Sequence, residues 1–256
     1  MQANNWLEGR HALITGGGTG IGAATATHLH AAGAKISLLG RRLEPLERVA
    51  ELVSGTPVSC DVTDRDAIAR GFEEARAANG PISFLIVNAG VGDSAPFGRT
   101  THEAWDRIIA TNLTSAFDCA QAALADLLGG EDGRMVFVAS VAGLRGAPFA
   151  APYAASKHGL IGLMRSLAAE FAKSPMTVNA VCPSFVDTPM VDDSAARIAS
   201  ASKRSEAEAR EALAAMNRHG RLIHPDAVAT MILTLCLPQS RDVNGSAITI
   251  DGGTTA

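Results

Sequence analysis

Short apolar runs recur along the chain at residues 11–15, 35–39, 56–60, 82–87, 135–139, 177–181 and 247–250, and most of them stop at Gly, Asn, Ser or Asp. Runs of this length without polar alternation read as strands covered on both faces, as in a parallel sheet. Helical stretches lie between them, at 23–32, 43–53, 65–79, 102–128, 152–174 and 226–237. Gly80-Pro81 closes one of these, and Pro152 opens another at a position where a helix tolerates proline. The stretch at about 189–217 is different: it is rich in Ala, Ser, Arg and Glu. It reads as a polar helical insert, either a mobile lid over a site or a solvent-exposed helix pair. Unbroken alternation of strand and helix predicts a single doubly wound α/β domain over residues 1–256. Its parallel sheet has about seven strands flanked by helices, and no linker divides it.

With 47% apolar and 19% charged residues in 256, a large core can be buried and disorder is not expected. A net charge of −4 argues against a broad nucleic-acid footprint. Cys60, Cys119, Cys182 and Cys236 are far apart and lack metal-ligand spacing, so buried thiols in a reducing compartment are expected. The seven histidines offer no metal-binding spacing either, and surface or capping roles are expected for all of them. The first residues carry neither a basic start nor an apolar run, and no apolar run approaches the ~20 residues needed to span a bilayer. A soluble, cytoplasmic protein is the expectation.

Candidate chemistry begins after the first run. Gly16-Gly-Gly-Thr-Gly-Ile-Gly22 stands between a strand and an Ala-rich helix, the context that gives a glycine turn meaning. There the backbone at Gly16, Gly18, Thr19 and Ile21 can approach a pyrophosphate, and the helix start offers free N–H groups and a positive dipole end. A flexible loop is the competing reading. After the second run, where an acidic residue commonly receives the ribose of NAD, the chain has Gly40-Arg41-Arg42. Arg41 suits a 2′-phosphate, so NADP(H) is expected over NAD(H). Asp61-Val62 follows the third run, as a ligand contact or as a turn acid of the kind Asp64 also resembles. Asn88-Ala89-Gly90 closes the fourth; Asn88 serves either the cofactor or its neighbouring strands. Asn112 lies in mid-helix, unfavourable unless its amide or backbone is used.

Tyr153 and Lys157 share a helix face at a spacing of one turn. A free phenol, with a pKa near ~10, is a poor acid-base at neutral pH. A nearby ammonium is expected to lower that value and make Tyr153 usable. Tyr153 is the only tyrosine in the chain. Ser140, ending the fifth run, can hold a carbonyl oxygen within its reach. No Gly-x-Ser-x-Gly elbow or Ser-His-Asp grouping supports a hydrolase.

Thr15 through Gly22, Asp61-Val62, Asn88-Ala-Gly90, Asn112, Ser140, Tyr153-x-x-x-Lys157 and Pro183 through Thr188 occur in an order that resembles the short-chain dehydrogenase/reductase family over nearly the whole chain. The resemblance implies a Rossmann fold, NAD(P)(H) and a catalytic set in which Tyr153 is the acid-base and Ser140 orients the carbonyl. Lys157 would hold the nicotinamide ribose and lower the tyrosine pKa, and Asn112 would hold a water feeding a proton relay. Val186 and Thr188 would lie near the carboxamide. Ser184 replaces a common glycine and adds a hydroxyl beside the nicotinamide, making Ser140, Tyr153 and Ser184 the expected substrate contacts. The words around Tyr153 and Asn179 are similar to β-ketoacyl reductases and aromatic polyketide ketoreductases. A homotetramer is implied, with helices 102–128 and 152–174 pairing across two-fold axes. The expected activity is hydride transfer between NADP(H) and a ketone or secondary alcohol, a 3-oxoacyl thioester among the candidates. A non-catalytic dinucleotide sensor or scaffold is the alternative, against which the Ser-Tyr-Lys set argues.

Overall fold

The computed structural model describes residues 5–256. Seven strands form one sheet: β1 (His11–Thr15), β2 (Lys35–Gly40), β3 (Thr56–Ser59), β4 (Phe84–Val87), β5 (Arg134–Val138), β6 (Thr177–Pro183) and β7 (Ala247–Ile250). Their order is β3-β2-β1-β4-β5-β6-β7, and every pairing is parallel. Every residue of β1, β4, β5 and β6 is buried, as continuous apolar runs require when helices cover both faces.

On one face lie α1 (Gly20–Ala31), α2 (Leu43–Val53) and α9 (Pro225–Cys236), packed through Leu29, Leu46, Val228 and Ile232. On the other lie α3 (Arg65–Asn79), α5 (Ser115–Gly129) and α6 (Ala151–Glu170), packed through Phe72, Ala120, Leu160 and Met164. Small residues on α5 let it approach the sheet closely. The polar insert forms α7 (Pro189–Ala201) and α8 (Glu206–Ala215), which share a small core of Val191, Ala195, Ala209 and Leu213. A capping box at Ser205 and Glu208 starts α8.

Three local differences from the sequence expectation have physical causes. The helical region 102–128 is α4 (His102–Ile109), a π-helical turn at Ala110–Thr114, and α5. The π turn falls where Asn112 uses its side chain on another segment's backbone. The strand expected at 177–181 continues to Pro183 because β7 pairs with it that far. His11 is neither on the surface nor a cap. It begins a central strand, is 1% exposed, and bonds the Gly80 carbonyl and the Ser37 hydroxyl, both at 2.8 Å. His224, by contrast, caps α9 by accepting the Asp226 N–H. All four cysteines are buried free thiols, and burial pushes Cys60 and Cys182 up to about 11.

Candidate active site

In the sheet β1 lies between β2 and β4, and the chain leaves these strands in opposite lateral directions. The carboxyl ends on either side of this reversal open into a crevice. The glycine turn enters it with Gly16 at φ +66. A Cβ at Gly22 would fall 2.3 Å from the Gly16 carbonyl oxygen, and one at Gly16 would fall 2.9 Å from Asn88 Nδ2. The turn therefore closes only with glycine at both places. Asn88 braces it by donating to the carbonyls of Thr15 (2.9 Å) and Gly16 (3.1 Å). Its amide nitrogen is thus spent on the turn. The Thr15 hydroxyl accepts the N–H groups of Asn88 and Ala89, both at 3.0 Å.

From the turn a groove of about 200 Å³ runs past Gly18, Thr19, Arg41 and Asp61 to Ala89 and Gly90. Thr19 is the N-cap of α1, but its side chain makes no cap bond, and the first turn holds no acidic residue. The helix start is thus open to an anion. Arg41 and Arg42 are exposed and have no ion pair among the described residues. Asp61 accepts the Thr63 N–H (2.9 Å) and hydroxyl (2.8 Å) through Oδ1. These bonds hold its carboxyl below the usual range, against the cost of burial and with help from Arg41. Asp64 caps α3. The side chains of Val62 and Val186 are buried, and that of Ile21 packs partly against the core.

The second half of the site sits beyond Gly90. A Cβ built there would lie 3.3 Å from Asn112 Oδ1 and 3.7 Å from Lys157 Nζ, so the two halves adjoin. Asn112 Oδ1 accepts the Val91 N–H at 2.8 Å, and Nδ2 donates to the Val91 carbonyl (2.9 Å) and Ser156 Oγ (3.1 Å). Its amide is fully committed, so a water held here would be held by the π-turn backbone. Ser140 follows β5, caps the turn at Val141–Gly143 and accepts the Ala142 N–H at 3.1 Å, which leaves its own proton free to donate. The turn after it lies directly on α6, because Gly143 carries no Cβ; one would fall 2.6 Å from the Lys157 carbonyl.

Lys157 is buried and donates from Nζ to the Val138 carbonyl at 2.9 Å. Its Nζ lies 5.7 Å from the Tyr153 ring centroid. Burial lowers its pKa to about 8. Tyr153 corrects an expectation: its pKa is raised, not lowered. Burial is the largest cause, with the Ser140 hydroxyl pulling the other way, and the ammonium is committed to Val138.

The loop after β6 completes the site. Ser184 Oγ is buried and has no hydrogen-bond partner. Thr188 approaches the start of α1: a Cβ at Gly20 would fall 2.9 Å from Thr188 Cγ2. An open helix start and a glycine-walled groove beside Arg41 fit the phosphate and adenosine part of a dinucleotide. The structure also brings in residues that sequence reasoning passed over: Thr15, Val91, Ser156 and Asn217. Thr15 and Ser156 lay inside motifs, as positions given no role. The others act by bonding segments remote in sequence, which leaves no local signal.

The short chain dehydrogenase family model matches residues 10–199. The 3-oxoacyl-(acyl-carrier-protein) reductase MabA of Mycobacterium bovis is 36% identical over 95% of this chain and 92% of its own. The 3-oxoacyl-(acyl-carrier-protein) reductase FabG of Thermotoga maritima is 36% identical over 96% and 98%. Among solved structures, a tryptophan variant of actinorhodin polyketide ketoreductase with NADPH superposes with a TM-score of 0.92 at 31% identity, over 96% of this chain and 97% of that one. By family model, relatives and fold, the chain belongs to the short-chain dehydrogenase/reductase family and is an oxidoreductase acting between C=O and CH–OH.

Proposed function

We propose that the protein is an NADPH-preferring ketoreductase whose acid-base is Tyr153, with Ser140, Lys157 and Asn112 as its partners. The observation that carries this reading is that the groove beginning at Arg41 reaches Gly90, where a Cβ would lie 3.7 Å from Lys157 Nζ, and that this Nζ is 5.7 Å from the Tyr153 ring centroid. A bound nicotinamide dinucleotide supplies or takes the hydride. Gly16, Gly18, Thr19 and Ile21 would hold its pyrophosphate, Arg41 its 2′-phosphate, and Asp61, Val62 and Asn88 to Gly90 the adenosine side and central ribose. Lys157 would hold the nicotinamide ribose, with Val186 and Thr188 at the carboxamide.

In the reducing direction the Ser140 hydroxyl donates to the substrate oxygen while Tyr153 delivers its proton there. The raised phenol pKa keeps that proton in place at neutral pH, which suits an acid. Below about pH 8 the Lys157 ammonium supports the negative charge left on the phenol. The π-turn backbone at Asn112 would hold the water that reprotonates Tyr153. Ser184 would contact the substrate or the carboxamide, since its hydroxyl is otherwise unpartnered.

A 3-oxoacyl thioester is the leading substrate class, supported by the names of the relatives above. The insert acts as a lid: Met190 packs beside Gly92, and Arg197 bonds the Gly92 carbonyl at 3.4 Å. The protein assembles as a homotetramer through α4–α5 and α6, where Trp105 and Phe117 remain 41% exposed. It works in the cytoplasm; no helix among the described residues is long and apolar enough to cross a membrane.

Loss of absorbance at the reduced-nicotinamide band with a panel of 3-oxoacyl thioesters and cyclic ketones tests this reading. NADPH should exceed NADH by at least ~10-fold in kcat/KM, as one charge-assisted contact is worth ~1.5–3 kcal/mol. Gly40→Asp should reverse the order: position 40 has a backbone open to any residue, and a Cβ there would make only ordinary contact with Leu46, at 3.4 Å. Equal or better use of NADH by the natural protein would overturn the assignment of Arg41.

A further inference from the structure

The loop carrying Ser184, Val186 and Thr188 leaves the sheet early. The Ser184 N–H still bonds the Ile250 carbonyl at 3.2 Å, and beyond that residue β7 no longer guides the chain. Its conformation is then set by the segment that follows α8. Asn217 is fully buried there and faces Phe185. Asn217 Oδ1 accepts the Phe185 N–H at 3.1 Å, and Nδ2 donates to the Phe185 carbonyl at 2.8 Å and the Arg221 carbonyl at 2.7 Å. One side chain thus gives Phe185 the donor and acceptor that a neighbouring strand would give. Ile223 extends the grip: its N–H reaches the Phe185 carbonyl and its carbonyl takes the Asp187 N–H, both at 2.9 Å. From outside, Arg210 on α8 forks the carboxylates of Asp187 and Asp192.

We propose that Asn217 is a positioning residue for the reactive half of the site. By locking the Phe185 backbone it holds Ser184 on one side, and Val186 to Thr188 on the other, in register with the nicotinamide end of the groove. Only a side chain with both an acceptor and donors does this; aspartate lacks the donors and serine lacks the reach. The adenosine end is built from the glycine turn and Arg41, which Asn217 does not touch. Asn217 therefore controls one half of a dinucleotide and not the other. This rests on the function proposed above.

The test compares two probes, NADPH and 2′,5′-ADP, the latter carrying the adenosine half alone. Binding of each is titrated to the full chain and to Asn217→Ser, Asn217→Asp and Arg210→Gln, with amide hydrogen exchange followed at Phe185. For Asn217→Ser and Asn217→Asp the expected result is NADPH binding weakened by at least ~10-fold, the scale of one lost buried hydrogen bond with its partner left unpaired. 2′,5′-ADP should stay within about twofold, the Phe185 amide should exchange faster, and kcat should fall with the ketone KM rising. Arg210→Gln, on the surface, should shift the NADPH to 2′,5′-ADP ratio in the same direction by less, and Arg210→Lys should restore part of it.

Equal change in both probes, or no change in either, would overturn the proposal. Should the Asn217 variants not fold, an unchanged ratio in Arg210→Gln overturns it. A natural protein that binds neither probe instead refutes the function proposed above, which keeps the two failures apart.

Discussion

At Lys157 a cation is kept where burial works against its charge. Its amine is lowered from the usual 10.5 to about 8, with the Val138 carbonyl as its one hydrogen-bond partner among the described residues. The charge is therefore half present near pH 8, and it is lost progressively as pH rises through that value. The ribose contact and phenolate support proposed for Lys157 would need that charge, so on that proposal kcat/KM for ketone reduction should decline above about pH 8. A pH profile of the free enzyme with NADPH and one good ketone measures this; a flat profile to pH 10 would remove Lys157 from the charge-supporting role. The same residue shows why a motif is not yet a mechanism. Spacing predicts that Lys157 lowers the phenol, but the fold half-buries the phenol, buries the amine and turns the ammonium toward Val138. Burial, which spacing cannot express, decides the sign.

Strands and helices were legible where a local pattern carries them. β1, β4, β5 and β6 are mostly apolar runs, and Asp64 announces a helix start by its position before a polar turn. The π turn was not legible, because its cause is the bond from Asn112 to Val91, 21 residues away. Asn217 escaped for the same reason, since its partner Phe185 is 32 residues away. His11 was misplaced because a histidine in an apolar run looks the same whether it caps a strand or is sealed by Ser37 and Gly80.

That last residue makes a prediction at the level of the strand. Burial lowers the His11 pKa below its ordinary 6.5, and the Gly80 carbonyl only partly offsets this. The unfolded chain then binds more protons than the folded one just below pH 6.5. The stability this histidine contributes is present above that value and is lost as pH falls through it. Tm should drop more steeply between pH 7 and 5 in the natural protein than in His11→Gln, whatever the variant's starting Tm. Parallel slopes would show that His11 does not titrate on unfolding.

For the whole molecule, the strand order gathers the candidate cofactor segments that follow β1, β2, β3 and β4 at the carboxyl end of the sheet, so the candidate site depends on topology as well as on motif. Two apolar layers hold the sheet from both faces, and Trp105 on α4 and Phe117 on α5 stay exposed, the surface proposed above for self-association. Light scattering at micromolar concentration should give four times the 26.4 kDa chain mass; a monomer would exclude the tetramer.

The central assignment is the proton carried by Tyr153, and it has no substitute: the chain has no other tyrosine. The most direct measurement is turnover of Tyr153→Phe with NADPH and the best ketone, beside NADPH titration of the same variant. We expect turnover to fall by at least ~100-fold, the lower end for loss of a general acid-base, with NADPH affinity kept because the ring remains. Turnover close to that of the natural protein would contradict the assignment.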